Sequence, residues 1–174
     1  MHRLLLPLFA VAVAAGVVVL AIAALVPLDD DTAAAAIPAK DEVAAVAAAT
    51  GPVAVHRTES CGCCGGHVDH LRDAGFEVED HVHADEAAVA TVRHDLGVPE
   101  PLWSCHTTVV EGRAVEGHVP ADVIVTLLDH EHDVDGGALP GMPAGSPGRA
   151  GPKTGTWTFP TFVDGVEADV LTQR

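Results

Sequence analysis

VAVHRTESCGCC, residues 53–64, is the stretch that decides the fold. Its first half alternates apolar and polar side chains, which predicts a short strand over residues 53–56. Beyond the cysteines, Val68 and Leu71 stand at helical spacing, and Gly75 is a typical helix stop. The cysteines therefore lie between a strand and the first turn of a helix, where backbone N–H groups and the helix dipole lower the pKa of a thiol.

The rest of the chain alternates between helical and strand patterns. Asp85 is a candidate N-cap, the Glu-Gly pair at 111–112 indicates a hairpin, and Pro120 is suited to open a helix. The predicted elements are a strand at 76–79, a helix at 85–96, a hairpin at 107–116, a helix at 120–128, an irregular Gly/Pro-rich loop at 136–148 and an edge strand or hairpin at 154–170.

The order β-α-β-α-β-β-α resembles the thioredoxin-like fold, an α/β class that carries its cysteines at this same strand-to-helix junction. In that fold a loop before the third strand faces the cysteines. Cys105 and His106 occupy this position. We therefore expect the fourth cysteine and a histidine to approach the triplet at 61–64.

The four cysteines favour chemistry over ordinary packing, because three of them fall within residues 61–64 and the fourth is Cys105. A thiolate is both a nucleophile and a soft metal ligand. A pair of structural disulfides is the alternative in an oxidising compartment. Neighbouring cysteines would close very small loops, so a metal site or redox chemistry is the preferred interpretation.

The chain is strongly acidic, with 25 acidic residues against 9 basic ones and a formal charge of −16. Dispersed carboxylates with only two lysines, Lys40 and Lys153, are typical of a surface adapted to high salt, where screening removes self-repulsion. The same field repels phosphates, so a nucleic-acid partner is not expected.

An uncharged apolar run covers residues 4–28, with Arg3 before it and three aspartates after it. This length suits a membrane-spanning helix with its carboxyl end outside the cytoplasm. A cleaved signal peptide, with Ala21-Ile22-Ala23 near the cleavage site, is the alternative. Both place the cysteines outside the cytoplasm. The predicted organisation is an anchor or signal at 1–28, an acidic Ala-rich linker at 29–50, a thioredoxin-like metal-binding domain at 51–148 and a C-terminal extension at 149–174. Val43, Val46 and the alanines around them could form a short helix within the linker, which we interpret mainly as a spacer.

Residues 52–148 also resemble a known protein family. The matching motifs are CGCC (61–64), HLRDAGFEV (70–78), LGVP (96–99), SCHTTVVEGRAVEGHVPADVI (104–124) and LPGMPAGSPG (139–148). They are similar to those of small extracytoplasmic metal-binding proteins catalogued as a domain of unknown function. That family is linked to copper resistance and includes the CopG-type proteins.

The resemblance implies copper binding on a thioredoxin-like fold. The implied thiolate ligands are Cys61, Cys63, Cys64 and Cys105, with further family positions at His106, His118 and Met142. Two positions depart from the family pattern. His67 replaces an aromatic residue, which either adds a candidate ligand or places a histidine at the helix surface, the position we expect for it. Arg149 stands where a second methionine often follows.

The spacing of the cysteines bears on which metal is bound. Soft thiolate and thioether donors select Cu(I), and C-x-C-C suits bridging sulfurs in a multinuclear cluster. Four thiolates holding Zn(II), and a metal-free dithiol or disulfide, remain alternatives. The leading hypothesis is a membrane-tethered copper-binding protein for copper tolerance, which sequesters Cu(I) or passes it to a partner protein. The alternatives are a thiol enzyme that reduces Cu(II) and a metal-free disulfide oxidoreductase.

Overall fold

The computed structural model describes residues 38–129 and 133–173, which form a mixed α/β structure. Its strands are β1 Val53–Thr58, β2 Val78–His83, β3 His106–Val110, β4 Arg113–Glu116, β5 Gly136–Ala138, β6 Trp157–Val163 and β7 Val166–Gln173. Its helices are α1 Lys40–Ala49, α2 Gly62–Asp73, α3 Glu86–Asp95 and α4 Ala121–Leu128, with a 3₁₀ turn at Glu100–Leu102. The predicted order of strands and helices from β1 to α4 is confirmed.

The strands form one seven-stranded sheet in the order β2-β1-β3-β4-β5-β6-β7. β1 runs parallel to β2, with Val53 opposite Val78, and antiparallel to β3. β3 and β4 form the predicted hairpin, while β4 and β5 are parallel. β1 therefore lies between two neighbours, and its carboxyl end delivers the chain into the cysteine loop.

Side chains on the two faces of the sheet pack into separate clusters. Val53 and Val55 on β1 join the main apolar cluster with Leu71 of α2 and Leu127 of α4. The opposite face carries a smaller cluster around Phe162. Alternation along β1 therefore buries its odd-numbered valines on the α2 face and leaves His56 on the other face.

The helix boundaries have local causes that the sequence contained. The side chain of Asp85 accepts a hydrogen bond from the backbone N–H of Ala88 at 3.0 Å, as expected of an N-cap. Gly75, with φ of +104°, follows α2 in a conformation that other residues rarely adopt. Gly75 and Asp85 therefore lie in the two connections that flank β2, one after the end of α2 and one before the start of α3.

One predicted loop differs from the structure. The loop predicted at 136–148 begins with β5, a strand of two glycines and an alanine. A Cβ on Gly136 would lie 1.8 Å from the carbonyl oxygen of Ala114, so close strand pairing requires glycine there. The alternating pattern that signals a strand is absent from such a segment.

The linker predicted at 29–50 contains α1, whose Val43 and Ala47 are buried in the main cluster. The extension predicted at 149–174 supplies β6 and β7, a hairpin that continues the sheet and buries Phe159. The hairpin prediction for this tail is confirmed. Both flanking segments contribute to the same core as the central domain.

The predicted anchor or signal at 1–28 lies outside the described residues. Within residues 38–129 and 133–173, no helix has the length and hydrophobicity needed to cross a membrane.

Candidate metal centre

The sulfur atoms of all four cysteines converge at the start of α2. Cys61 is the residue before the helix, and Cys63 and Cys64 occupy its first turn. Cys105 directly precedes β3, the neighbour of β1 in the sheet. The four Sγ atoms lie within 4.8 Å of one another, so the predicted approach of Cys105 to the triplet is confirmed.

The four cysteines differ in oxidation state. Cys61 and Cys64 form a disulfide with Cα atoms 5.4 Å apart, whereas Cys63 and Cys105 are free. Sγ of Cys63 lies 3.7 Å from Sγ of Cys61, and Sγ of Cys64 lies 3.8 Å from the carbonyl oxygen of Cys105. A C-x-x-C disulfide therefore sits at the amino end of the helix with two free thiols beside it.

A second group of ligand atoms shares two of these cysteines. Cys64, Cys105, His106 and His118 place one ligand atom each within 4.8 Å of the others. Sγ of Cys105 lies 3.3 Å from Nδ1 of His106 and 3.1 Å from Nε2 of His118. Cys105 is thus the point where the sulfur group and the imidazole group meet.

The proton positions on His67 and His106 follow from the carbonyl oxygen that ends their chain of hydrogen bonds. Nε2 of His67 faces the carbonyl oxygen of Val119 at 2.9 Å and must donate to it. Nδ1 of the neutral His67 ring is then an acceptor, and Nε2 of His106 donates to it at 3.0 Å. Nδ1 of His106 is left with a lone pair that faces Cys105.

His118 is oriented in the same way by a different carbonyl. Its Nδ1 donates to the carbonyl oxygen of Pro147 at 2.6 Å, which leaves a lone pair on Nε2. Two imidazole lone pairs therefore face Sγ of Cys105, whose single S–H proton can be donated to only one of them. A cation bound by two nitrogens and a thiolate would satisfy all three atoms, so the donor set fits a soft or borderline metal ion.

Burial keeps these rings neutral. Desolvation lowers the pKa of His67 to about 3 and the pKa of His106 well below its usual value, and neighbouring histidines lower both further. Desolvation also lowers the pKa of His118. Neutral imidazole is the form that binds metals, so no proton has to leave these rings when an ion enters.

The pKa of Cys105 shifts in the opposite direction from the pKa values of the histidines. Burial, followed by the charge of Cys63, raises the pKa of its thiol to about 11. Without a metal, Cys105 is therefore a protonated thiol at neutral pH. A metal ion must displace that proton, which makes binding at Cys105 dependent on pH.

A buried ion pair holds the segment that carries Cys105. Arg93 of α3 and Glu116 of β4 are 1% and 0% exposed, and Nε of Arg93 lies 3.2 Å from the Glu116 carboxylate. Glu116 accepts from the backbone N–H of Ser104 at 2.8 Å, and Arg93 donates to the Ser104 carbonyl at 2.5 Å. Thr107 also donates to Glu116. Both backbone groups of the residue before Cys105 are therefore fixed.

Two glycines allow the loop that carries Pro147 to reach α2. A Cβ on Gly66 would lie 2.7 Å from Cα of Gly148, and a Cβ on Gly148 would lie 2.3 Å from the carbonyl oxygen of Cys63. Gly148 also has φ of +78°. Side chains at these positions would push the loop away from the helix, and the carbonyl of Pro147 would move away from His118.

The sequence-predicted ligands do not all occupy equivalent places. Cys61, Cys63, Cys64, Cys105, His106 and His118 are brought together. His67, expected nearer the surface as an added ligand, is instead fully buried, and both of its ring nitrogens are used by Val119 and His106. Met142 is half-buried with φ of +46°, and its role as a thioether ligand stays a prediction.

Sequence reasoning missed the Arg93–Glu116 pair. Arg93 is one turn after Val89 on the inward face of α3, a position where an apolar residue is the rule, and that mismatch was a usable signal. The sequence favours a metal site over a disulfide, whereas Cys61 and Cys64 are joined in the structure.

Comparison with known proteins agrees with this site. The family described as "Protein of unknown function, DUF411" matches residues 102–149, which include Cys105, His106 and His118. Two solved structures, "Copper resistance protein copG- Form 2" and "Form 1", are each 43% identical to this chain with a TM-score of 0.62. They cover 69% and 70% of this chain, which in turn covers 94% and 95% of theirs. No curated protein shows significant similarity.

Proposed function

This chain belongs to the CopG-type copper-resistance family, and on that premise we propose that it holds Cu(I) as cargo through its cysteine centre in copper tolerance. The observation that carries the proposal is that three cysteine sulfurs and two imidazole lone pairs converge on the sulfur of Cys105. Thiolates are soft donors that select Cu(I), and imidazole accommodates both copper oxidation states.

We propose that the centre holds a multinuclear Cu(I) cluster rather than a single ion. Cys63 and Cys64 are consecutive residues whose sulfurs leave the same helical turn, together with Cys61. Sulfurs tied so closely in sequence are better placed to bridge neighbouring ions than to surround one ion as a tetrahedron. Reduction of the Cys61–Cys64 disulfide is the first requirement, because disulfide sulfurs are not thiolate ligands.

The disulfide favours a second candidate function, copper–thiol redox exchange. Two Cu(II) ions accept one electron each from the Cys61 and Cys64 thiols, the S–S bond forms, and two protons are released. The products are two Cu(I) ions beside Cys63 and Cys105, the thiols that remain free. An external thiol reductant would then restore the dithiol by disulfide exchange.

The proposed fold is thioredoxin-like. Four strands in the order β2-β1-β3-β4 support this assignment. β1 is parallel to β2, β3 is antiparallel to β1, and β4 is antiparallel to β3. The position of C-x-x-C between β1 and α2 supports it as well.

The proposed location is extracytoplasmic, with tethering to the membrane through residues 4–28 or secretion after cleavage. The apolar run and the triple aspartate that follows it support this proposal. A copper-accepting partner protein and adaptation to high salt complete the proposal, the latter resting on the charge of −16.

The test loads the full chain, reduced in detergent and high salt without oxygen, with Cu(I), and counts bound copper and free thiols. We expect more than one tightly held Cu(I) per chain, and loss of the cluster in Cys63→Ser/Cys64→Ser. His94→Ala, an exposed histidine on α3, is the matched control. Four free thiols with no retained copper would overturn the proposal.

The redox candidate is separated by adding Cu(II) to the same reduced chain. Redox exchange predicts that two Cu(II) electron paramagnetic resonance signals disappear for each disulfide formed, with renewed turnover when a thiol reductant is supplied. Storage alone predicts no turnover.

A further inference from the structure

Three histidines outside the cysteine centre lie on one face of the two parallel strands. His56 of β1 stands directly beside His81 of β2, and His83 is two residues further along β2. Side chains alternate along a strand, so all three project from the same face. That face is opposite the one that carries Val55 and is packed against α3. We call this set the strand histidine group.

The rings of the strand histidine group are in contact. Nδ1 of His56 lies 3.0 Å from Nε2 of His83, and the two ring centroids are 5.2 Å apart. His81 stacks on His56 with centroids 4.8 Å apart and planes within 10°. Its Nε2 is 3.4 Å from a Glu79 carboxylate oxygen, and its side chain is 45% exposed. His81 can therefore turn without disturbing the core.

Charge does not explain why these three rings are grouped. Burial lowers the pKa of His56, and the neighbouring His81 and His83 lower it further. Protonation of one ring thus opposes protonation of the next. The Arg57–Asp80 ion pair, by contrast, lies on the other face of the same two strands. His56 and His83 already bring two ring nitrogens to within 3.0 Å of each other, and the His81 ring stacked on His56 is a third imidazole within reach, which is the donor type that a metal ion of borderline softness prefers.

We propose that His56, His81 and His83 form a second metal site, separate from the thiolate centre, for a borderline divalent cation of the Cu(II) or Zn(II) class. Two imidazole nitrogens at roughly 2.0–2.1 Å from one tetrahedral ion are about 3.4 Å apart, close to the separation of His56 Nδ1 and His83 Nε2. His81 supplies the third nitrogen by turning away from Glu79. Water completes the coordination at this half-exposed surface.

The position of the site gives it a distinct task. His83 pairs with Thr58, the last residue of β1, from which the chain continues through Glu59 and Ser60 to Cys61. The site therefore lies at the same end of the sheet as the thiolate centre, on the opposite face. Its all-nitrogen donors hold a divalent cation, whereas sulfur donors favour Cu(I). The net charge of −16 attracts such cations to the surface.

The experiment removes the free thiols so that the strand histidine group is tested alone. Cys63→Ser/Cys105→Ser is prepared in the full chain with the Cys61–Cys64 disulfide intact, so that no thiol reduces Cu(II). Cu(II) and Zn(II) are added separately, bound metal is counted after desalting, and nitrogen hyperfine structure is recorded for Cu(II). His106 and His118 remain in every variant, so their contribution cancels in the comparison.

His56→Ala or His83→Gln in this background should abolish one bound cation per chain or weaken it about tenfold or more, with a smaller loss in His81→Ala. His94→Ala should change nothing. In the Cys63→Ser/Cys105→Ser chain with all three histidines intact, one equivalent of Zn(II) should shift the ring nitrogen resonances of His56, His81 and His83 together.

Unchanged stoichiometry and affinity in His83→Gln, with unshifted ring resonances, would overturn the proposal. Binding of only one of the two cations would identify which member of the class the site takes. Because this background lacks the free thiols, the result is independent of whether the cysteine centre holds Cu(I).

Discussion

Two groups of three histidines lie on opposite faces of this sheet, and they differ in what orients the rings. His67, His106 and His118 are linked to the backbone carbonyls of Val119 and Pro147, which fix where each proton lies. The strand histidine group has contacts among its own rings and with exposed Glu79. Backbone anchoring predetermines which nitrogen faces the metal, whereas the unanchored group must select its tautomer when an ion arrives.

We expect the largest effect from removing the Arg93–Glu116 ion pair, which fixes the segment that carries Cys105 and His106. Arg93→Leu leaves the Glu116 carboxylate fully buried without a cation, which should lower the free energy of unfolding by about 3–5 kcal/mol. Urea denaturation of the reduced, metal-free chain measures this. Arg72→Leu, at an exposed pair, is the control and should cost less than about 0.5 kcal/mol.

The double variant Arg93→Leu/Glu116→Leu should recover part of that loss, since no charge is then left buried, while the Ser104 N–H and the Thr107 hydroxyl still lose their acceptor. A double variant as unstable as the single one would show that the loss does not come from an unpaired buried charge.

Acid should distinguish the two histidine groups next. The pKa of His67 is about 3 in the folded chain and about 6.5 when unfolded, so the unfolded state binds the extra proton between these values. The contribution of His67 to stability is therefore full above pH 6.5 and falls as pH drops, by about 1.4 kcal/mol per pH unit, which amounts to about 2.7 kcal/mol at pH 4.5. The lowered pKa values of His106 and His118 add losses in the same direction.

Urea denaturation of the metal-free chain at pH 7 and pH 4.5 checks this. His67→Phe should start less stable than the parent chain but lose less stability on acidification. An unaltered slope in His67→Phe would contradict the assigned cause.

A smaller change displaces one anchor of His118. Gly148→Ala combines a left-handed φ with a contact of 2.3 Å to the Cys63 carbonyl, and we expect a loss of roughly 1–3 kcal/mol. Copper binding should weaken in parallel because the Pro147 carbonyl moves. Gly62→Ala has nothing within 4 Å of the new Cβ and is the matched control. Equal behaviour of the two variants would show that the loop is not held against α2.

The finest test exchanges the partner of His106. His67→Phe removes the acceptor for Nε2 of His106 and should weaken Cu(I) binding about tenfold, measured by chelator competition. His67→Gln should largely restore affinity, because its amide can donate to Val119 and accept from His106. If His67→Phe and His67→Gln bind copper equally, His67 does not position His106.

Structural features were predictable from the sequence where the residues that cause them are close together in the chain. Alternation along β1, the Asp85 cap and the Glu-Gly hairpin are local signals, and each led to the observed element. The interior position of His67 was not predictable, because it depends on β3 and on Val119, 39 and 52 residues away. β5 was missed since its glycines are required by a neighbouring strand.

The site followed the same rule. The approach of Cys105 to the triplet was predicted from the order of elements, which places β3 beside β1. The orientation of the imidazole nitrogens was not, because it depends on carbonyls of two separate loops. α1 was interpreted mainly as linker because alanines give its buried face little contrast with the rest of the helix.

The most direct test of the copper centre is copper K-edge X-ray absorption on the Cu(I)-loaded full chain and on its His106→Ala/His118→Ala variant. We expect a first shell of sulfur with nitrogen in the parent chain, and sulfur alone with less bound copper in the variant. A sulfur-only shell in the parent, unchanged in amount and spectrum by the double substitution, would contradict the claim that the two imidazole lone pairs beside Cys105 hold the metal.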